Sequence, residues 1–496
     1  MGSDVVQGSP KPRSVASFVD IEKPIIEHSE PGLQSPQVNG RRILRKIDLR
    51  VVPVLCVLYL LAFLDRVNIA NATLFGLKED LKLQGDQYNT ALVIFFVPYI
   101  ICEIPSNALL KRLKPHLWLS GCMFMFGLTT LLQGFTQNYG GLLATRFFLG
   151  VFESGMFPGC FYLLAMWYRR EEAQKRYSFF FSSTTLAGAF GGLLASAIGK
   201  MDGVRGYRGW RWVFILEGLF TCVVAIVFFF LISDFPEEVK WLTAEEKQFV
   251  KDRLYDDVGH SQSDEKITFK SALGVLKDYK VIIGGFMYFG LIVPAYGYAY
   301  FAPAIIQSIG NHSSIHTQLL SVPPWACACV LSMVVAIISD YSGHRYIFTL
   351  LPTLVALAGF IILLVVHDNN HLQYAALFLA SAGSYSAMPI IVCWFNTNLA
   401  GHKRRAVATG WQVGFANIGG IIAAYSFVAK DAPKYIPGYS ISIAFIVLSM
   451  FACVAYLVGI AWENRERDRG NVRGVDLPAE EKQKLGDLNP DYRYIL

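Results

Sequence analysis

Long apolar runs separated by short polar stretches dominate the chain from residue 51 to residue 461. Twelve runs are long enough to cross a bilayer as helices, near 51–75, 88–110, 117–136, 143–167, 177–199, 212–233, 281–307, 317–339, 346–366, 372–396, 406–428 and 439–461. About 20 helical residues, each rising about 1.5 Å, match the hydrocarbon core. The pattern predicts an all-α membrane protein of twelve transmembrane helices in two pseudo-symmetric six-helix bundles, 41–233 and 281–461. The flanks are predicted as a disordered cytoplasmic tail (1–40), a cytoplasmic central loop (234–280) and a cytoplasmic C-terminal tail (462–496). In the central loop, Thr243 and Glu246 have capping-box spacing, which predicts a short amphipathic helix starting there.

Two halves echo one another. Trp167-Tyr168, Arg176 and Gly191-Gly192 after the fourth run correspond to Trp394-Phe395, Arg405 and Gly419-Gly420 after the tenth, with the glycine pairs 228 residues apart. A six-plus-six repeat suits an alternating-access carrier with its substrate at the repeat interface. With both termini inside, short inner loops and flanks hold 19 Lys and Arg against 8 in the outer loops, the orientation that positive charge favours.

Composition agrees. Of 496 residues, 53% are hydrophobic and 17% charged, below the ~25% charged of soluble domains, and the mean hydropathy is +0.39. The net charge of +6 reflects loop placement, so no nucleic acid partner is expected. No phosphate loop, nucleophile elbow or zinc triad is visible, so neither an enzyme nor a nucleotide-driven pump is expected. No metal or organic cofactor is expected either, only protons as coupling ion; the pair Cys327 and Cys329 lacks further ligands. The polar first forty residues offer no cleavable signal, and Val6 stands where myristoylation wants Ser or Thr. Asn311-His312-Ser313 is a glycosylation acceptor in a predicted outer loop.

Charge inside a membrane is costly, so each case asks for a reason. The first six runs contain Asp65, Arg66, Glu103, Arg146, Glu153 and Glu217; the last six contain none. Asp65 and Arg66 fall mid-helix on diverging faces, and Asn68 is placed to bond the Asp65 carboxyl. Arg146, Gly150, Glu153 and Phe157 share one helical stripe. A carboxyl in low dielectric can carry a coupling proton, and an arginine offers a fork for a substrate carboxylate. Asp65 and Glu153 are therefore the candidates for proton coupling, and Arg66 and Arg146 for anion binding, with Asn68 beside them. If substrate draws the arginine from a carboxylate, proton and anion binding reinforce each other.

Glu103, with Lys111 and Arg112 on the inner loop, suggests a gate, as do Asp340 and Arg345 on the matching loop of the second half. Glu217 is expected to neutralise Arg208 and Arg211. The second half offers neutral partners for an organic anion: Tyr296 and Tyr298, Ser384 and Tyr385, and Trp411, Gln412 and Asn417. Pro and Gly in the seventh run, around Pro294, suggest a broken helix beside a cavity.

Four strings, Leu64-Asp65-Arg66-Val67-Asn68-Ile69, Arg146 to Gly155, Gly209-Trp210-Arg211-Trp212-Val213-Phe214, and Asp234-Phe235-Pro236 leading to Trp241 and Glu246, occur in this order across residues 45–465. In them the chain resembles the anion:cation symporter family of the major facilitator superfamily, especially its fungal branch of allantoate, nicotinate and related carboxylate permeases. The resemblance implies twelve helices, a rocker-switch mechanism and proton-coupled uptake of a small organic anion. It also implies that Asp65, Arg66, Arg146 and Glu153 serve proton coupling and carboxylate recognition. Lys111 departs from the superfamily, which usually has aspartate there; Asp340 keeps it. The expectation is a monomeric, multi-pass plasma-membrane symporter with both termini cytoplasmic. The competing readings are a metabolite exporter, which lacks support from a Gly-Pro motif in span five, and a non-transporting nutrient sensor.

Overall fold

A computed structural model describes residues 39–258, 269–310, 312–400, 402–471, 478 and 486–496. The helices are α1 Gly40–Thr73, α2 Leu77–Asp80, α3 Gln87–Arg112, α4 Pro115–Gln133, α5 Tyr139–Glu153, α6 Met156–Trp167, α7 Arg170–Ile198 and α8 Gly209–Leu231. There follow α9 Ala244–Val258, α10 Phe269–Leu276, α11 Tyr279–Gly310, α12 Ser314–Ser342, α13 Arg345–Val365, α14 Asn370–Thr397, α15 His402–Ser426 and α16 Ile436–Asp468. Among the described residues, eleven helices, counting α5 and α6 as one span, are long and apolar enough to cross a membrane. The 26-residue α3 completes a set of twelve. Residues 1–38 of the predicted tail (1–40) and Asn311 lie outside the described residues.

The packing has a centre and a rim. In the most apolar stretches of α11 and α14, 83% and 89% of the residues are buried, against 33% for α12 and α16. Rim helices point bare apolar side chains outward, among them Phe220, Val223, Ile226 and Phe230 on α8 and Phe451 and Val458 on α16. Without lipid such surface would be too costly in water, which makes these faces bilayer-facing. In the first half α4 packs on α8 and α1 on α7; in the second, α13 packs on α14 and α11 on α15 and α16. Between the halves, α7 meets α12 and α14, α3 meets α15, and α1 meets α11.

Three local features differ from expectation. The first helix starts at Gly40, capped by the Asn39 side chain accepting from Arg42 N at 3.3 Å. Its basic first turns bury Ile43 and Ile47, and Lys46 holds Glu246 of α9 at 2.7 Å. The break is in the fourth span, not the seventh: α11 runs unbroken through Pro294 and Pro303, whereas the chain turns at Ser154 and Gly155 between α5 and α6. Pro158 cannot donate to the Ser154 carbonyl, and a side chain at Gly155 would start 2.1 Å from Ser106 Oγ, so the turn is both permitted and packed. Third, part of the predicted tail folds back. Ile495 exchanges bonds with Asn398 at 2.8 and 2.9 Å, Trp394 Nε1 donates to Ile495 O, and buried Asp487 pairs with Arg404 at 2.8 Å.

The capping box forms as expected: Thr243 N donates to Glu246 Oε2 at 3.0 Å, and Glu246 N to Thr243 Oγ1 at 3.2 Å. The Lys46 ammonium beside Glu246 holds that carboxyl below its usual range.

One glycine is required by a close approach. At Gly150 a side chain would start 2.2 Å from Phe95 O, so α3 and α5 touch through bare backbone. Gly150→Val is expected to destabilise the protein by about 1–3 kcal/mol, the usual cost of overpacking. Thermal unfolding of detergent-purified protein would read this as a lowered Tm, with Gly121→Val, which faces open space, left near wild type. Equal Tm values would show that the approach is slack.

Candidate functional site

Glu153 ends α5 at the break, and Arg66 lies on the inner face of α1 opposite it. Arg66 Nε donates to Glu153 Oε1 at 2.9 Å, and Nη2 donates to the same oxygen. Nη1 donates to Tyr296 Oη on α11. The guanidinium lies 5.0 Å from the Phe95 ring centre and 4.9 Å from that of Tyr99, positions where ring faces attract a cation. Arg66 is 2% exposed and Glu153 0%, so the pair is dry, and Glu153 Oε2 has no hydrogen-bond partner among the described residues. A desolvated pair of this kind is held by its geometry and leaves a strongly disfavoured charge if one partner is withdrawn. It also spans the two halves, because Tyr296 belongs to α11.

Beside it is a cavity lined by Tyr59, Phe63, Phe181, Thr184, Tyr288, Ile292, Tyr296, Tyr385 and Met388. Tyr59 and Phe63 precede Arg66 by seven and three residues, so they share its face. That spacing is the signal that could have picked them out. Phe181 and Thr184 on α7 and Met388 on α14 carried no such signal; only the packing brings them in.

Other expected residues fall in several places. Arg146 is fully buried and braces backbone, donating to Ala91 O and Arg66 O at 3.3 Å each. Tyr385 lines the cavity and donates to Ala295 O at 3.0 Å. Tyr298 packs edge-on against Trp325, which also contacts Tyr385. The Ser384 hydroxyl and Trp411 Nε1 are buried without partners among the described residues, and Trp411 stacks on Phe415. Gln412 donates to Gly284 O and Asn417 to Val413 O, both at 3.1 Å, so the helix backbone already engages their amide nitrogens.

Two pairings differ from the sequence expectation. Asn68 donates to Glu217, not to Asp65, whose two oxygens find no partner among the described residues. Glu217 therefore does not neutralise the loop arginines; Arg211 pairs with Asp80 at 2.9 Å. Both follow from α8 bringing Glu217 about two turns inside its basic end, level with α1.

Glu103 is buried, with Oε2 3.7 Å from where a side chain at Gly414 of α15 would start, so it faces the opposite half. Asp340 and Arg345 of the matching inner loop pair at 2.8 Å. The side chains of Lys111 and Arg112 lie outside the described residues. At the helix ends remote from both termini the halves are pinned together. Asn89 donates to Ala424 O at 2.6 Å, Thr90 and Tyr425 hydroxyls meet at 3.0 Å, and Ser314 donates to Leu74 O at 2.6 Å.

Residues 55–424 match the family model described as Major Facilitator Superfamily. A transporter of Schizosaccharomyces pombe is 34% identical, covering 92% of this chain and 90% of its own length. An MFS-type transporter of Penicillium expansum is 33% identical over the same shares. The high-affinity nicotinic acid transporter of Saccharomyces cerevisiae is 32% identical over 94% of this chain and 87% of its own. Among solved structures, a bacterial homologue of the human lysosomal transporter Spinster, inward-facing and occupied, superposes with a TM-score of 0.60. It covers 82% of this chain and 96% of its own at 14% identity, a likeness of fold.

Proposed function

We propose, since the chain belongs to the Major Facilitator Superfamily and is a multi-pass membrane transporter, that it imports a small organic anion, a monocarboxylate such as nicotinate, together with protons. The observation that carries this reading is the Arg66 site. A buried guanidinium is clasped by a single oxygen of Glu153 and by Tyr296 of the other half. A substrate carboxylate entering from the cavity competes with Glu153 for the fork, and bidentate recognition favours the planar guanidinium. Glu153, stripped of its cation in a dry site, then takes up a proton, so anion and proton bind cooperatively. The aromatic walls of Tyr59, Phe63, Phe181 and Tyr288 suit the ring of an aromatic acid.

The likeness to a nicotinic acid transporter supports the substrate class, and the resemblance of the charged strings to anion:cation symporters supports the coupling. In this reading both termini are cytoplasmic, the membrane is the plasma membrane and the monomer is the working unit. The pinned helix ends then face outside, and the state is closed outward. Glu103 and the Asp340–Arg345 pair serve gating, and Arg146 positions Arg66 through its backbone carbonyl.

Cells expressing the protein are expected to accumulate labelled nicotinate from acidic medium and to lose that accumulation on adding a protonophore. Accumulation that persists with the proton gradient collapsed would overturn proton coupling.

A further inference from the structure

Behind the Arg66 site, inside the wall made by α1, α4 and α8, lies a second buried polar cluster. Asp65 is 1% exposed and Glu217 5%. Gly127 and Gly218 let the backbones of α4 and α8 touch: a side chain at Gly218 would start 2.4 Å from Leu131 N, and one at Gly127 2.9 Å from Thr221 Cγ2. That approach brings the hydroxyls of Thr130 and Thr221 beside the Asp65 carboxyl, with Glu217 the charged group that acts on it most strongly. Asn68 bonds one oxygen of Glu217. Both oxygens of Asp65, the second oxygen of Glu217 and the hydroxyls of Thr130 and Thr221 are buried with no completed hydrogen bond among the described residues.

Among the described residues no cation pairs with this cluster. Arg66 follows Asp65 in sequence but points about 100° away around the helix and is committed to Glu153 and Tyr296. Arg146 donates Nε and Nη1 to backbone carbonyls, with Nη2 unpartnered among the described residues, and Arg211 pairs with Asp80. The titratable groups facing Asp65 are Glu217 and Cys222 on α8 and Glu153 on α5. The α4 wall contributes the Thr130 hydroxyl and, one turn on, the buried amide of Gln133. Two carboxylates in such a place cannot both stay charged, because each unpaired buried ion costs several kcal/mol.

We infer that Asp65 and Glu217 form a proton site of their own, one proton shared between the two carboxyl groups within the N-terminal half, apart from the Arg66–Glu153 pair. The step is simple: an O–H bond forms on one carboxylate oxygen, the cluster's charge goes from −2 to −1, and the other carboxylate and the two threonine hydroxyls accept or relay the hydrogen bond. Asp65 also neighbours Glu153, so the proton held here and the charge on Glu153 influence one another through α1. This deepens the proposed coupling by placing a second carrier of the proton behind the substrate site.

Infrared difference spectroscopy of the full-length protein in lipid, titrated with pH in H2O and D2O, tests it without any substrate. A deuterium-sensitive carboxylic-acid band is expected in wild type. Asp65→Asn and Glu217→Gln should each remove part of it and move the titration of the remaining carboxyl by about one pH unit or more, as coupled sites do. Glu153→Gln should leave the band in place. Glu217→Asp, which keeps both carboxyls, should retain the coupled titration and guards against a variant that merely misfolds. Independent titrations, or a band indifferent to both substitutions, would overturn the shared proton. So would loss of the band when sodium replaces potassium, which would make this a sodium site. Failure here leaves the Arg66 reading standing, and failure of nicotinate uptake leaves this site standing.

Discussion

Arg66→Lys is expected to weaken nicotinate binding by about one to two orders of magnitude, although the positive charge is kept. Charge-assisted hydrogen bonds are worth about 1.5–3 kcal/mol each, and every 1.4 kcal/mol or so is tenfold in affinity. Arg66 uses Nε and Nη2 on Glu153 and Nη1 on Tyr296, three directions from one rigid plane. An ammonium is a point donor on a flexible stem and cannot hold that fork. Binding of labelled nicotinate to the purified variant checks this, with monodisperse elution as the folding control. Unchanged affinity would remove Arg66 from the site.

Glu153→Gln is expected to separate exchange from accumulation. Glutamine keeps a carbonyl oxygen for Arg66 where Glu153 Oε1 now accepts at 2.9 Å, so the fork stays oriented. It has no group to protonate, so substrate can still swap across the membrane but gains nothing from a proton gradient. Each pH unit of gradient is worth about 1.4 kcal/mol, a tenfold accumulation per coupled proton, and that factor should vanish. Counterflow of labelled against unlabelled nicotinate should continue at a rate comparable to wild type. Retained accumulation would make Glu153 a structural partner of Arg66 and nothing more.

The membrane spans were legible because hydropathy and helix length act locally; most helix ends fall within a few residues of the sequence reading. The Thr243–Glu246 capping box was legible for the same reason, since three residues settle it. The charged residues in the first half announced themselves by the cost of burying them. Their partners did not. Asn68 lies one turn from Asp65, and a single helix would pair them, yet α8 brings Glu217 closer. The break after Glu153 was hidden because Pro158 lies within an apolar run, whereas Pro294 drew the expectation to α11, which stays one continuous helix. The return of residues 486–496 onto Trp394, Asn398 and Arg404 depends on side chains some ninety residues apart, and no local pattern marks it.

Proteoliposomes loaded with a pH-sensitive dye give the most direct test of an anion and a proton bound together at Arg66 and Glu153. Cotransport requires that adding nicotinate outside acidify the lumen in wild type, in proportion to labelled nicotinate taken up, and that Glu153→Gln show uptake without acidification. Nicotinate entry with the lumen pH unchanged in wild type, or with the lumen turning alkaline, would contradict it.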